Sequence, residues 1–102
     1  MSRAYQIRKL TVDDLEDIWL FTLSEWNHEQ ADNYVGSILD CLEWLAENPD
    51  AGRERQDIKE GYFCFPVGRH LVFYVLSDGV VDVIGIPHQS MDVVSHLESG
   101  DL

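Results

Sequence analysis

Two stretches of helical period stand almost end to end in this chain, and that arrangement limits what it can fold into. Leu15, Ile18, Trp19, Thr22 and Trp26 recur at helical intervals. Ala31, Tyr34, Val35, Ile38, Leu42 and Leu45 do the same, with only "NHEQ" to restart the pattern between them. Long helices with so little linker must fold back as an antiparallel hairpin. Leu20, Phe21 and Leu23 widen the apolar face of the first helix, which is therefore expected to touch more than one element. Thr11 with Asp14 predicts an acidic capping-box start for that helix, and Asn27 with Gln30 predicts the N-cap of the second. Pro49, in "ENPD", ends the second helix by turning Asn48 away from helical geometry.

The segments flanking the hairpin have strand character. "AYQIRKL" alternates at period two and reads as a first strand at a sheet edge. "DAGRERQDIKEG" is polar and rich in turn formers, which predicts a surface loop. "YFCFP", "RHLVFYVL" and "VVDVIGI" then read as a three-strand meander, jointed at "VG" and "SDG". "HLVFYVL" is apolar on both faces and should be the central strand. "SMDVVSHL" predicts a short helix capped by Ser90 or Asp92, and "ESGDL" a frayed tail. The expected fold is α+β: an N-terminal strand and a helical hairpin packed on one face of a small antiparallel sheet (β-α-α-β-β-β), with a short C-terminal helix.

A chain of 102 residues is expected to form a single domain, residues 1–102, around one core. No apolar run is long enough to span a membrane, and "MSRAYQIRKL" lacks the apolar core of a secretory signal, so a cytoplasmic protein is expected. Cys41 and Cys64, without metal spacing, read as buried free thiols. Nineteen acidic residues against seven basic ones give a net charge of −12. Residues 11–27 and 28–48, the two helical stretches, carry −5 each. Such a field opposes phosphate backbones and disfavours direct nucleic-acid binding. It favours a basic protein partner for encounter rate, or acts only as a solvating surface.

Candidate chemistry centres on histidine. If the last two strands form a hairpin, His70 and His88 reach the same sheet end, where Arg69 can join them with Asp92 nearby. Neutral imidazole suits acid–base work near neutral pH, but no activated nucleophile accompanies it. No two histidines have helix or strand ligand spacing, so no metal or other cofactor is expected. The plainer reading has His88 half-buried and bonded to backbone, fixing the turn after the last strand. His28 reads as a surface residue, the acids from Asp13 to Asp17 as a solvated helix start, and Trp19, Trp26 and Trp44 as core. Arg53, Arg55 and Lys59 form a loop cluster able to meet a carboxylate partner.

Several ordered blocks resemble the ParE branch of the ParE/RelE toxin superfamily. They are "DDLEDIWLFTLSEWNHEQADNYV", "LAENPDAGRERQDIKEGYFCFPVGRHLVFY" and "HQSMDVVSHL", within a resemblance running over about residues 5–97. The resemblance implies a RelE/ParE-like fold and the toxin of a type II toxin–antitoxin module, neutralised by a ParD-like antitoxin that winds its C-terminal segment around it. It further implies inhibition of DNA gyrase, without chemistry of the toxin's own. The RelE branch instead cuts messenger RNA on the ribosome with Arg, Lys and a C-terminal Tyr. The matching positions here are His70, Ser90 and His96, which points away from that activity. Gly85 stands where many ParE relatives have Arg, and Pro87 where they have a leucine or similar residue.

Three functions are expected in turn. The first is a gyrase-directed toxin held by its antitoxin. The second is an antitoxin-binding, non-toxic homologue acting in promoter autoregulation, and the third a RelE-like ribosome-dependent endonuclease. The expected antitoxin- or target-binding residues are Leu20, Leu23, Arg53, Arg55, Arg69, His70, His88, Ser90, Asp92 and His96, with Leu20 and Leu23 exposed in the isolated chain.

Overall fold

The computed structural model describes residues 4–100. In chain order its elements are β1 (Gln6–Ile7), α1 (Lys9–Glu25), α2 (His28–Glu47), β2 (Arg53–Glu54), β3 (Phe63–Val67), β4 (His70–Ser77), β5 (Val80–Gly85) and α3 (Val93–Ser99). The strands form one sheet in the order β1-β5-β4-β3-β2.

The hairpin forms as its spacing demands. Asn27 caps α2 by accepting the Gln30 N–H at 2.8 Å, and α2 stops at Asn48, just before Pro49. Ile18 of α1 and Ile38, Leu42 and Leu45 of α2 pack on Val72, Tyr74, Val81 and Val83 of the sheet. Complete burial of each such side chain is worth about 1.5–3 kcal/mol relative to exposure. The opposite sheet face carries a second cluster of Cys64, Phe73, Ile84 and Leu97, joined by Ile58, Tyr62 and Val93. The central strand β4 is apolar on both faces because α3 and the loop before β3 cover the side the hairpin leaves open.

Several expectations need correction. Helix α1 begins at Lys9 with no side-chain cap, so Thr11 is not its N-cap. Thr11 is fully buried and donates its hydroxyl to the Val83 carbonyl at 2.8 Å. Asp14, also buried, accepts the Ile86 N–H at 2.7 Å. These residues bolt α1 to β5, a use of the same polar groups that local spacing does not distinguish from capping. The first strand lies at an edge as expected, but it pairs parallel to β5, so the sheet is mixed. The expected surface loop contains β2, whose exposed Arg53 and Glu54 pair antiparallel with Cys64 and Phe63. An edge strand with both faces wet has no apolar period to betray it. Glu98 and Ser99 of the expected tail belong to α3; Asp101 and Leu102 lie outside the described residues.

The end of β5 is irregular, and the irregularity sets the path of the chain from β5 into α3. Tyr74 pairs with Val83 and Phe73 with Gly85, so Ile84 is the extra residue of a β-bulge. Pairing resumes beyond it: Leu71 N–H donates to the Pro87 carbonyl at 2.9 Å, and His70 bridges His88. Gly85 is a close-approach position, where an added Cβ would come within 2.8 Å of Leu97 Cδ2 and 3.2 Å of Leu10 Cδ2. Its lack of a side chain lets α1 and α3 meet over the strand. Asp92 caps α3, accepting the Ser95 N–H at 3.2 Å; Ser90 does not.

Candidate functional site

Helix α1 runs past the sheet end and leaves a groove there. Phe21 and Thr22 stand three and four residues beyond buried Ile18, so they continue its stripe where no strand lies beneath. The groove holds about 810 Å³ and opens between α1, the start of α2, the β3–β4 turn and the exit of β5. Its apolar wall is Ile18, Phe21, Trp26 and Met91. Phe21 is 65% exposed and Trp26 74% exposed, large aromatic surfaces that nothing among the described residues covers. Trp26 is therefore not a core residue, contrary to expectation. Trp44 is also exposed, with its ring against Phe65, and half-buried Trp19 donates its indole N–H to Asp32 at 2.9 Å.

The other wall is polar and built around Tyr34. Its hydroxyl accepts the Arg69 N–H at 3.0 Å and lies 2.7 Å from His70 Nδ1. The phenol donates to Nδ1 in the tautomer that carries the imidazole proton on Nε2. Tyr34 also packs into the β3–β4 turn, where Gly68 adopts a φ of +56° and a Cβ would meet the Tyr34 hydroxyl at 2.6 Å. His88 Nδ1 accepts the Ser90 N–H at 3.1 Å and lies 2.8 Å from Ser90 Oγ. A backbone N–H only donates, so this Nδ1 carries no proton. The expected backbone-bonded, half-buried His88 is what forms. The two imidazoles meet edge to face, with centroids 5.1 Å apart. Burial, and secondarily the neighbouring His88, lowers the His70 pKa to about 4, against a smaller opposing effect of Asp14.

Of the sequence-derived candidates, the structure gathers Arg69, His70, His88 and Ser90 on the groove. The rest lie elsewhere. His96 sits on α3 with Nε2 at 2.9 Å from both Asp14 oxygens. The positions His70, Ser90 and His96 therefore do not assemble one cationic centre. Asp92 is engaged in capping. Arg55 forms two 3.0 Å bonds to Asp57 and lies 5.7 Å over the Phe73 ring, and Arg53 belongs to the β2 edge. Leu20 is exposed as expected, whereas Leu23 is half-buried; neither lines the groove. Sequence reasoning missed Tyr34, absorbed into the α2 stripe, and Phe21 and Met91 as groove walls. The available signal was an excess of apolar residues on α1 beyond what one sheet face can bury.

Chemistry in the groove is restricted. The Cys41 and Cys64 thiols are free, and burial pushes both pKa values up, away from thiolate. Among the described residues no three His, Cys, Asp or Glu side chains converge on a point fit for a metal ion. No helix among them is long and apolar enough to cross a membrane.

Fold and groove together define a class: a helical hairpin on a five-stranded mixed sheet, with an uncovered aromatic groove at its end. A solved structure described as the chromosomal ParDE TA system from P. aeruginosa shares this fold, with a TM-score of 0.74 over 85% of this chain and 96% of that one, at 15% identity. The sequence matches the family described as "ParE toxin of type II toxin-antitoxin system, parDE" over residues 5–93. It is 35% identical over 98 residues to Toxin ParE1 of Mycobacterium tuberculosis, covering 95% of this chain and 100% of that one. To Toxin ParE1 of Caulobacter vibrioides it is 34% identical, covering 93% and 98%. The chain belongs to the ParE toxin family of type II toxin–antitoxin systems.

Proposed function

We propose that this chain is the toxin of a type II module, that a ParD-type antitoxin neutralises it by lying in the α1–β5 groove, and that its cellular target is DNA gyrase. The observation that carries the antitoxin reading is the pair of uncovered aromatics, Phe21 and Trp26, along an open groove. Exposed apolar surface that is contiguous and rimmed by polar groups marks a protein-binding site, and an amphipathic helix is the usual occupant of a groove. The gyrase reading is supported by family membership. Its corollary is that the toxin acts in the cytoplasm by occupying protein surfaces, not by chemistry of its own. Half-buried Cys41 and buried Cys64, both with pKa values raised by burial, accord with that.

Expression of the chain alone is expected to arrest growth, with relief on co-expression of a ParD-type antitoxin encoded beside it. Purified toxin is expected to inhibit gyrase supercoiling, and Phe21→Ala with Trp26→Ala to weaken antitoxin binding by about 2 kcal/mol or more. Normal growth and unaltered supercoiling at high expression would contradict the toxin reading. They would favour an antitoxin-binding, non-toxic homologue that acts in promoter autoregulation, a reading motivated by Gly85 and Pro87. A Cβ at position 85 would come within 2.8 Å of Leu97 Cδ2 and 3.2 Å of Leu10 Cδ2, so an Arg there requires those side chains to shift.

A further inference from the structure

The groove is apolar along α1 and ends on hydrogen-bond donors. The Tyr34 hydroxyl lies 2.7 Å from His70 Nδ1, and the Ser90 N–H donates to His88 Nδ1. The neutral His88 ring therefore carries its proton on Nε2, and so does neutral His70 in the tautomer that accepts the Tyr34 proton. Neither Nε2 has a hydrogen-bond partner among the described residues, and no buried side-chain nitrogen or oxygen among them is left unbonded. Both Nε2–H groups therefore reach solvent on the residues that line the groove. The exposed Arg69 guanidinium belongs to the same wall and makes no ion pair among the described residues. The acidic side chain lining the groove is Asp17, from α1.

The geometry points to a carboxylate-binding subsite formed by His70, His88 and Arg69, occupied by an Asp or Glu side chain of the antitoxin segment that lies along Phe21 and Trp26. This rests on the antitoxin reading above. Charge complementarity selects the occupant: three donor-bearing side chains on one groove wall suit an anion, and a cation would meet N–H groups. A polyanionic nucleic acid has to approach a chain of net charge −12. A single carboxylate on an apolar peptide brings one charge and surface that matches the aromatic wall. A metal ion is a poor alternative, because the Ser90 N–H fixes the His88 proton on the very nitrogen a metal would need.

The subsite is linked to protons. His70 is faced by Tyr34 from α2, by Asp14 and Asp17 from α1, by Arg69 on its own turn, and by His88. It is neutral at pH 7 when the groove is empty, with a pKa near 4. A carboxylate at Nε2 favours the imidazolium form. Protonation at His70 Nδ1 is tolerated, because the Tyr34 oxygen has a second lone pair to accept it. His70 thus takes up the proton on binding, and affinity rises as pH falls from 8 toward 5, by at most about tenfold per pH unit for one proton.

The test uses 4-phenylbutyrate as probe, its neutral amide and phenyl phosphate as comparators, and the histidine NMR signals as readout. The carboxylate is expected to shift His70 and His88, to bind about threefold or more tighter near pH 5.5 than near pH 7.5, and to lose about fivefold in Arg69→Leu, an exposed position that leaves packing intact. Equal binding of amide and carboxylate, or an Arg69→Leu variant with unchanged affinity, overturns the subsite. Phenyl phosphate binding about tenfold tighter than the carboxylate overturns it in favour of a phosphodiester site. A second arm titrates a ParD-type antitoxin against wild type and Arg69→Leu. A complex whose affinity is independent of pH and of Arg69 overturns the assigned occupant. No complex at all overturns the antitoxin reading instead, and the probe result still decides the subsite.

Discussion

The Tyr34 hydroxyl bonds His70 Nδ1 and receives the Arg69 N–H, so one oxygen holds both the β3–β4 turn and a groove histidine. Tyr34→Phe removes both bonds and is expected to cost about 1–2 kcal/mol in urea unfolding, with the largest chemical-shift changes at residues 68–70. Tyr74 does equivalent work beyond α2, donating to the Pro49 carbonyl at 2.8 Å and accepting the Gly52 N–H at 2.9 Å. The residues that carry the family resemblance, Pro49, Gly52, Gly68, His70 and Tyr74, are thus largely fasteners between loops and core. His70 also makes stability pH-dependent. Its pKa is about 4 folded against an ordinary 6.5, so the unfolded chain binds the proton more tightly. The contribution is complete above about pH 6.5 and is lost as pH falls toward 4. His70→Gln is expected to flatten the slope of urea stability between about pH 7 and 5 relative to wild type, and an identical slope in the two proteins would contradict the assignment.

Element α3 is short and is held by the His96–Asp14 bond, by Leu97 seated beside Gly85 and by Val93 against the second core cluster. Gly85→Ala is expected to destabilise by about 1–3 kcal/mol through overpacking, and a second change, Leu97→Ala, to recover part of that cost where independent sites would simply add. Unfolding of the two single and the double variants measures the coupling directly. At this scale the sequence is most legible where periodicity and punctuation act together. Asn27, Pro49 and the turn at Asp78–Gly79, both at positive φ, mark their elements correctly. It is least legible where a polar residue serves a distant partner. Thr11 and Asp14 look like a helix start, yet bond to Val83 and Ile86 more than seventy residues away. Strand β2 and the parallel pairing of β1 rest on backbone bonds, which leave no side-chain period. The clustering of His70, His88 and Arg69 was readable because a hairpin with a known joint dictates which residues share an end. Tyr34 was not, since its position on the α2 stripe is equally that of a core residue.

For the molecule as a whole, the acid that dominates composition lies mostly on the helical hairpin, while the groove ends on donors. Self-repulsion at −12 is expected to be screened by salt, so the melting temperature should rise between about 0.02 and 0.3 M NaCl. A flat response would indicate that the acids are too far apart to matter. Centrally, the groove between α1 and the exit of β5 is proposed as the surface through which this toxin is held. Hydrogen exchange of the toxin with and without a ParD-type antitoxin tests that claim most directly. Added protection concentrated at residues 18–26, 68–71 and 86–91 is the predicted result. Protection confined to the β2 edge or to α3, with those three stretches unchanged, would contradict it.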